Sequence, residues 1–355
     1  MKAGAIAATT VTATSLNGQG SPNLLRNPDF EVAQRGTSFA TATANAYTLD
    51  GFIFSNGTDA VCTITQDTDV PTFAQAGHQS LHSFKLQVTT VDASIAAGQV
   101  MAITQNMEGY DIYPAVGKSL TLSFWVKAKK TGVYCCGFVN SGVDRSMVKE
   151  YTINVADTWE KKTVTFVMNA SGGTWVYNFG LGLRVYFTLA TGSTYQTTKD
   201  AWQTGYYFGT SSQVNALDST ANYINLAQVK LEIGATVTPF VPRAYGEELA
   251  RNQRYLYRRT GGVAPIIGTG RCISTISAYI CVPFPTTMRI TPTLATINAS
   301  TFTLVSGTLT SYSLNAISSP DMGVLTLVTT GTIGGDAIMM YGNAATDYVD
   351  FIAEL

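Results

Sequence analysis

The stretch Lys118-Ser119-Leu120-Thr121-Leu122-Ser123-Phe124-Trp125-Val126-Lys127-Ala128-Lys129-Lys130 decides the fold class. Leu120, Leu122, Phe124 and Val126 recur at every second position, the period of a strand with one face on a core. Thr121, Ser123, Trp125 and Lys127 take the opposite face. The same period returns in TWEKKTVTFVM (158–168) through Val164, Phe166 and Met168. It returns again in WVYNFGLGLRVYF (175–187), with Trp175, Tyr177, Phe179, Leu181, Leu183, Val185 and Phe187 on one side. Asn178, Gly180, Gly182, Arg184 and Tyr186 share the other. Further strands are predicted at 61–66, 81–90, 99–105, 133–139 and 223–233. Gly, Asn and Ser turns separate them, so the chain reads as an all-β protein built on a two-sheet antiparallel sandwich.

Composition agrees with that period. The 355 residues (37.9 kDa) carry 22 Lys and Arg against 23 Asp and Glu. Those 45 charged side chains, 13% of the chain, are outnumbered by 50 threonines, and about 25% charge is usual in a soluble domain. A 45% hydrophobic share excludes wholesale disorder. A net charge of −1 excludes nucleic-acid binding through bulk charge. No window approaches the ~20 apolar residues of a membrane span, and AGAIAA after Lys2 is too short for a secretory signal. Cys62, Cys135, Cys136, Cys272 and Cys281 are an odd set without a CxxC, so they read as five buried, reduced thiols.

Residues 1–22 form a small, polar leader ending in NGQGSP. Residues 23–242 form the first β domain, and Pro239 and Pro242 mark its close. GEELARNQRYLYRR (246–259) carries the one helix signal, with Glu247 and Glu248 in the first turn and arginines toward the end. Residues 243–259 therefore read as a linking helix. Tyr245, Leu249, Asn252 and Leu256 lie on one stripe, consistent with helices meeting around an axis. From 260 to 355 the chain is β again, a second and smaller domain.

The opening NLLRNPDFEVAQRG (23–36), the strand SLTLSFWVKA (119–128) and a closing series together resemble a module of bacteriophage tail fibres and related virion appendages. That closing series is Val229-Lys230-Leu231-Glu232, then Thr238-Pro239-Phe240-Val241-Pro242-Arg243, then Glu248-Leu249 through Gln253-Arg254-Tyr255. The module is similar to the jelly-roll carbohydrate-binding domains of glycoside hydrolases. The match spans 23–259 closely and 260–355 more loosely. It implies a jelly-roll sandwich, a short helix and a C-terminal β tip domain. Two positions depart from the pattern. Asn252 stands where the family often has Cys. The structural calcium of the hydrolase modules would need Glu31 plus an acidic pair at positions occupied by Ala227 and Gln228. Neither metal nor cofactor is expected.

Catalytic motifs are scarce in the sequence. His78 and His82 have H-x3-H spacing, but the surrounding residues read as a strand entry with no acid nearby in sequence. No nucleophile elbow, phosphate loop or HExxH appears, so a non-enzymatic protein is expected. Sugar binding uses flat aromatics, planar amides and Arg. Trp125, Arg184 and Tyr186 fall on outward strand faces, and Trp202, Tyr206 and Tyr207 crowd the loop DAWQTGYYFGTSS (200–212). These six are the carbohydrate candidates, each with burial by neighbouring loops as the competing fate. Tyr245, Leu249, Arg251, Asn252, Arg254, Tyr255 and Leu256 are the oligomer-interface candidates, because Arg and Tyr without Lys is an interface composition.

The resemblance thus implies a virion protein: a short tail fibre, homotrimeric, anchored to other virion proteins by 1–22 and contacting a host-surface glycan. A head fibre or capsid-decorating protein is the alternative within the class. A secreted carbohydrate-binding module is the alternative outside it. A tailspike depolymerase would show β-helix repeats, which the sequence lacks.

Overall fold

The structure, a computed structural model, describes residues 21–40, 45–169, 171–260, 266–295, 302–342 and 347–355. The leader expected at 1–22 lies outside them except for its last two residues. In chain order the first thirteen strands are β1 (Ser38–Phe39), β2 (Ala46–Tyr47), β3 (Phe52–Asn56), β4 (Val61–Asp67), β5 (Ser83–Thr90), β6 (Val100–Glu108) and β7 (Ser119–Ala128). They continue as β8 (Gly132–Asn140), β9 (Arg145–Ile153), β10 (Glu160–Val167), β11 (Leu181–Thr191), β12 (Trp202–Thr204) and β13 (Tyr223–Ile233). One sheet runs β1-β4-β5-β13-β7-β10 and the other β12-β9-β8-β11-β6-β3-β2, all antiparallel between the named strands. This is a jelly-roll sandwich with a short helix and a second sandwich after it.

The alternation of β7 works as read on its inner side: Leu120, Leu122, Phe124 and Val126 are buried against Leu183, Val185 and Phe187 of β11. Its outer side is also buried. Helix α1 (Phe73–Ala76), held by a Thr72–Gln75 capping box and closed by Gly77 at φ +72°, brings Ala76 over Trp125. The thirteen-residue strand expected at 175–187 starts only at Leu181. Residues 176–180 instead run beside helix α2 (Gly109–Ile112), where Gly109 N–H donates to Gly180 O and Tyr110 N–H to Asn178 O. No Cβ would fit at Gly109, since it would lie 2.2 Å from Val176 O.

The closing series forms a clasp. Buried Lys230 donates to Pro239 O (2.9 Å) and Thr238 Oγ1 (2.5 Å) and pairs with Glu232 at 3.1 Å. Glu232 in turn accepts from Thr238 N–H at 2.9 Å. Helix α3 (Tyr245–Gln253) follows, ending six residues before the end at 259 that the sequence suggests. Leu256–Thr260 is instead strand β14, pairing residue by residue with the strand at Tyr348–Ile352. Local helix preference there loses to a partner about ninety residues away.

The remaining strands are β15 (Ile266–Ser274), β16 (Ser277–Pro283), β17 (Thr293–Ala295), β18 (Phe302–Leu304), β19 (Thr308–Leu314), β20 (Met322–Thr330), β21 (Ala337–Gly342) and β22 (Tyr348–Ile352). A three-stranded sheet, β14-β22-β17, faces a six-stranded one, β18-β21-β15-β16-β20-β19. They enclose a separate core of Ile280, Leu325, Leu327, Met340 and Phe351. Cys62, Cys135, Cys136 and Cys272 are buried, but Cys281 is exposed, because the β16 alternation turns Ile280 and Val282 inward and Cys281 out. Among the described residues no helix is long and apolar enough to cross a membrane.

Candidate functional site

The outer face of the seven-stranded sheet carries a groove of about 420 Å³. Strands β3, β6 and β11 form its floor, since Ile53 pairs with Thr104 and Thr104 with Tyr186 across the sheet. The next rung places Arg184 opposite Asn106. Period-two alternation is the cause: with Leu183, Val185 and Phe187 in the core, Arg184 and Tyr186 must face outward. A wall comes from the loop after β11, where Tyr195, Tyr206 and Phe208 stand against Tyr186. The Tyr186 and Tyr206 hydroxyls lie 2.9 Å apart. Burial, with the neighbouring Tyr206 adding to it, pushes the Tyr186 phenol well above its ordinary value, so it stays a neutral donor and acceptor. At one end Leu355 O accepts from Tyr47 Oη (2.7 Å) and Asn106 Nδ2 (2.9 Å).

Arg184 is held before any ligand arrives. Its Nη1 donates to Asn140 O (2.8 Å) and more weakly to Ser141 O (3.4 Å). The side chain is half-buried, and among the described residues no carboxylate lies in salt-bridge range of it.

Three of the six carbohydrate candidates, Arg184, Tyr186 and Tyr206, therefore meet in one groove. Trp125 does not. It sits on the other sheet, 9% exposed, packed with Trp159 and Ala227 beneath α1. Trp202 lies on edge strand β12 beside a separate cleft of about 660 Å³, its indole N–H donating to Val167 O at 2.8 Å and its ring edge-on to Trp175. Tyr207 neighbours Tyr206 in sequence but does not line the groove; its ring closes over Gly205. Sequence reading missed Tyr47, Thr104, Asn106 and Tyr195. The polar residues on the outer face of β6 were a usable signal; the arrival of Tyr47 was not.

The interface candidates mostly serve a joint inside the chain. Arg254 forks Glu108 through Nε (2.7 Å) and Nη2 (2.9 Å), and Tyr255 Oη donates to the same carboxylate at 2.6 Å. Tyr255 also stacks beneath the Arg26 guanidinium at 3.5 Å. Asn252 is buried against Glu248, which itself takes Asn27 N–H (2.6 Å) and Arg243 Nη1 (2.8 Å). Leu256 is fully buried in β14. Arg251 lines a small cleft with Asp111, whose carboxyl is raised by burial. Leu249 is half-buried, and only Tyr245, 60% exposed, offers a large ring to solvent. Asn252, Tyr255 and Leu256 are thus buried inside the chain, while Arg254 is held by Glu108 with its side chain partly exposed.

The histidines do find acids, from far away in sequence. His78 Nε2 meets Asp29 at 3.0 Å and His82 Nδ1 meets Glu31 at 2.9 Å. Gln228, turned by a backbone at φ +49°, donates to Ser80 Oγ at 2.9 Å. Glu31 is thus engaged by His82, and no cluster of three or more His, Cys, Asp or Glu converges among the described residues.

No family model and no curated protein matches the chain. Among solved structures it is similar to the enzymatically active domain of bacteriophage CBA120 tailspike protein 4, at 14% identity and TM-score 0.32. That match covers 55% of this chain and 21% of the tailspike chain. It is also similar to TmCBM61 in complex with β-1,4-galactotriose, at 12% identity and TM-score 0.31, covering 60% of this chain and 100% of the module. A family 11 carbohydrate-binding module from Clostridium thermocellum, bound to a β-1,3-1,4-mixed-linked tetrasaccharide, matches at 9% identity and TM-score 0.30 over 56% and 98%. Scores of this size carry no functional argument, and any ligand for this chain must be argued from its own groove.

Proposed function

We propose that the chain is a non-catalytic glycan-binding protein of a phage particle, acting as a short tail fibre in attachment to a host surface. The observation that carries this reading is the groove itself. Edge-to-face tyrosines, a pinned guanidinium and side-chain amides and hydroxyls line one trough of about 420 Å³, the mixture that recognises C–H faces and hydroxyls together. No Asp or Glu is among its described lining residues, whereas a glycosidase would need two. The phage assignment draws on the closing series, whose residues build the clasp and the joint between the sandwiches.

Self-association would make weak contacts effective through avidity. Exposed Ile276 (64%), Ile317 (65%) and Ile333 (64%) on the second sandwich support it. A glycan array with wild-type protein and Tyr206→Ala tests the groove. Wild-type binding to a defined set of glycans and a loss of about tenfold or more in the variant are expected. An unchanged profile in Tyr206→Ala overturns the groove assignment.

A further inference from the structure

We propose that the groove selects glycans carrying a carboxylate, a uronic or other acidic sugar, and that Arg184 reads that group. This rests on the glycan reading above and sharpens it. Sixteen described residues line the groove, and Arg184 is the one charged side chain among them. The rest are tyrosines, amides, hydroxyls and apolar residues, so the lining side chains hold one positive charge and no negative one, while the main-chain carboxyl end of Leu355 is taken up by Tyr47 and Asn106.

Elsewhere in the sandwich the arginines near carboxylates are already paired: Arg35 with Glu354, Arg243 with Glu248, Arg254 with Glu108. Arg184 is instead anchored to two backbone carbonyls through Nη1 alone. Nε and Nη2 remain, the adjacent pair of donors that can fork a carboxylate. Because Nη1 is fixed, little side-chain entropy remains to be lost on binding. A neutral sugar would leave this half-buried cation with only hydroxyls. An acidic one supplies the missing charge, while its ring lies against the wall of Tyr186, Tyr195 and Tyr206.

The test uses oligosaccharides containing galacturonate, glucuronate or sialic acid, each paired with its carboxyl-reduced counterpart, titrated calorimetrically into the full chain. At least one acidic member is expected to bind about 10- to 100-fold more tightly than its reduced partner, with the gap narrowing at high salt. Arg184→Met is expected to close the gap between the acidic member and its reduced counterpart, with its melting curve confirming a folded protein. Equal binding of acidic and reduced members by the wild type overturns this inference and leaves the groove reading standing. Neutral glycans that bind while no acidic one does overturn it too. Binding to no saccharide, acidic, reduced or neutral, overturns the groove reading and this inference with it.

Discussion

Trp125 and Tyr206 are both aromatic residues outside the main core, yet α1 covers Trp125 while Tyr206 stays partly exposed in the groove. The sequence alone shows an alternating strand with a Trp on its outer face; it does not show that a four-residue helix fifty positions earlier will fold over it. Replacing Trp125 by Ala is therefore expected to cost about 3–5 kcal/mol of stability, read from urea unfolding, while glycan affinity stays within twofold. A folded Trp125→Ala protein that has lost glycan binding would contradict the packing role. Arg184 and Tyr186 were legible for the opposite reason. The period of two fixes the outward direction as soon as Leu183, Val185 and Phe187 are inside, even though the loop after β11 then covers all but 5% of Tyr186.

At the scale of elements, the joint between the sandwiches depends on the end of β6. Glu108, 3% exposed, accepts two bonds from Arg254 and one from the Tyr255 hydroxyl. Burial pushes the Tyr255 phenol up, and the Arg26 guanidinium stacked on it pulls the other way. Glu108→Ala leaves the arginine and the phenol facing each other without the carboxylate, so a loss of about 3 kcal/mol is expected. Calorimetry is expected to give one melting transition for the wild type and two for the variant, one per sandwich. A single transition with an unchanged midpoint would mean that other contacts hold the joint. Both elements of this joint are partly readable: the sequence shows the acidic first turn of α3 but not the strand at Leu256–Thr260. Five residues with two arginines have no strand signal of their own, and β14 exists because β22 is there to pair with it.

At the scale of the whole molecule, the low charge of the chain has a pH consequence. Burial raises the thiols of Cys62 to about 12 and of Cys135 to about 11 from an ordinary 9.0, and holds Cys136 well above 9.0. The unfolded chain loses these protons near pH 9 and the folded chain later. Their contribution is therefore complete below pH 9 and is lost as pH rises toward 11–12. The urea midpoint should fall steadily between pH 9 and pH 10.5, and Cys136→Ala should flatten that slope. A midpoint that stays constant over the range would contradict the burial of these thiols. Light scattering addresses the assembly. A mass three times 37.9 kDa is expected at micromolar concentration, and a monomer would remove self-association from the proposal.

The central place of β22 carries one more consequence, for how the protein is made. Tyr348–Ile352 lies between β14 and β17 in their sheet, so two strands wait on it for their hydrogen bonds. Arg289 also grips the carbonyls of Ala353 and Glu354. On a ribosome the first sandwich can close while synthesis continues, because every one of its strands is already out by Ile233. The second cannot close until Tyr348–Ile352 has been made and has cleared the exit tunnel. A nascent chain stalled before Tyr348 should thus show a protease-resistant first sandwich attached to a fully digestible remainder.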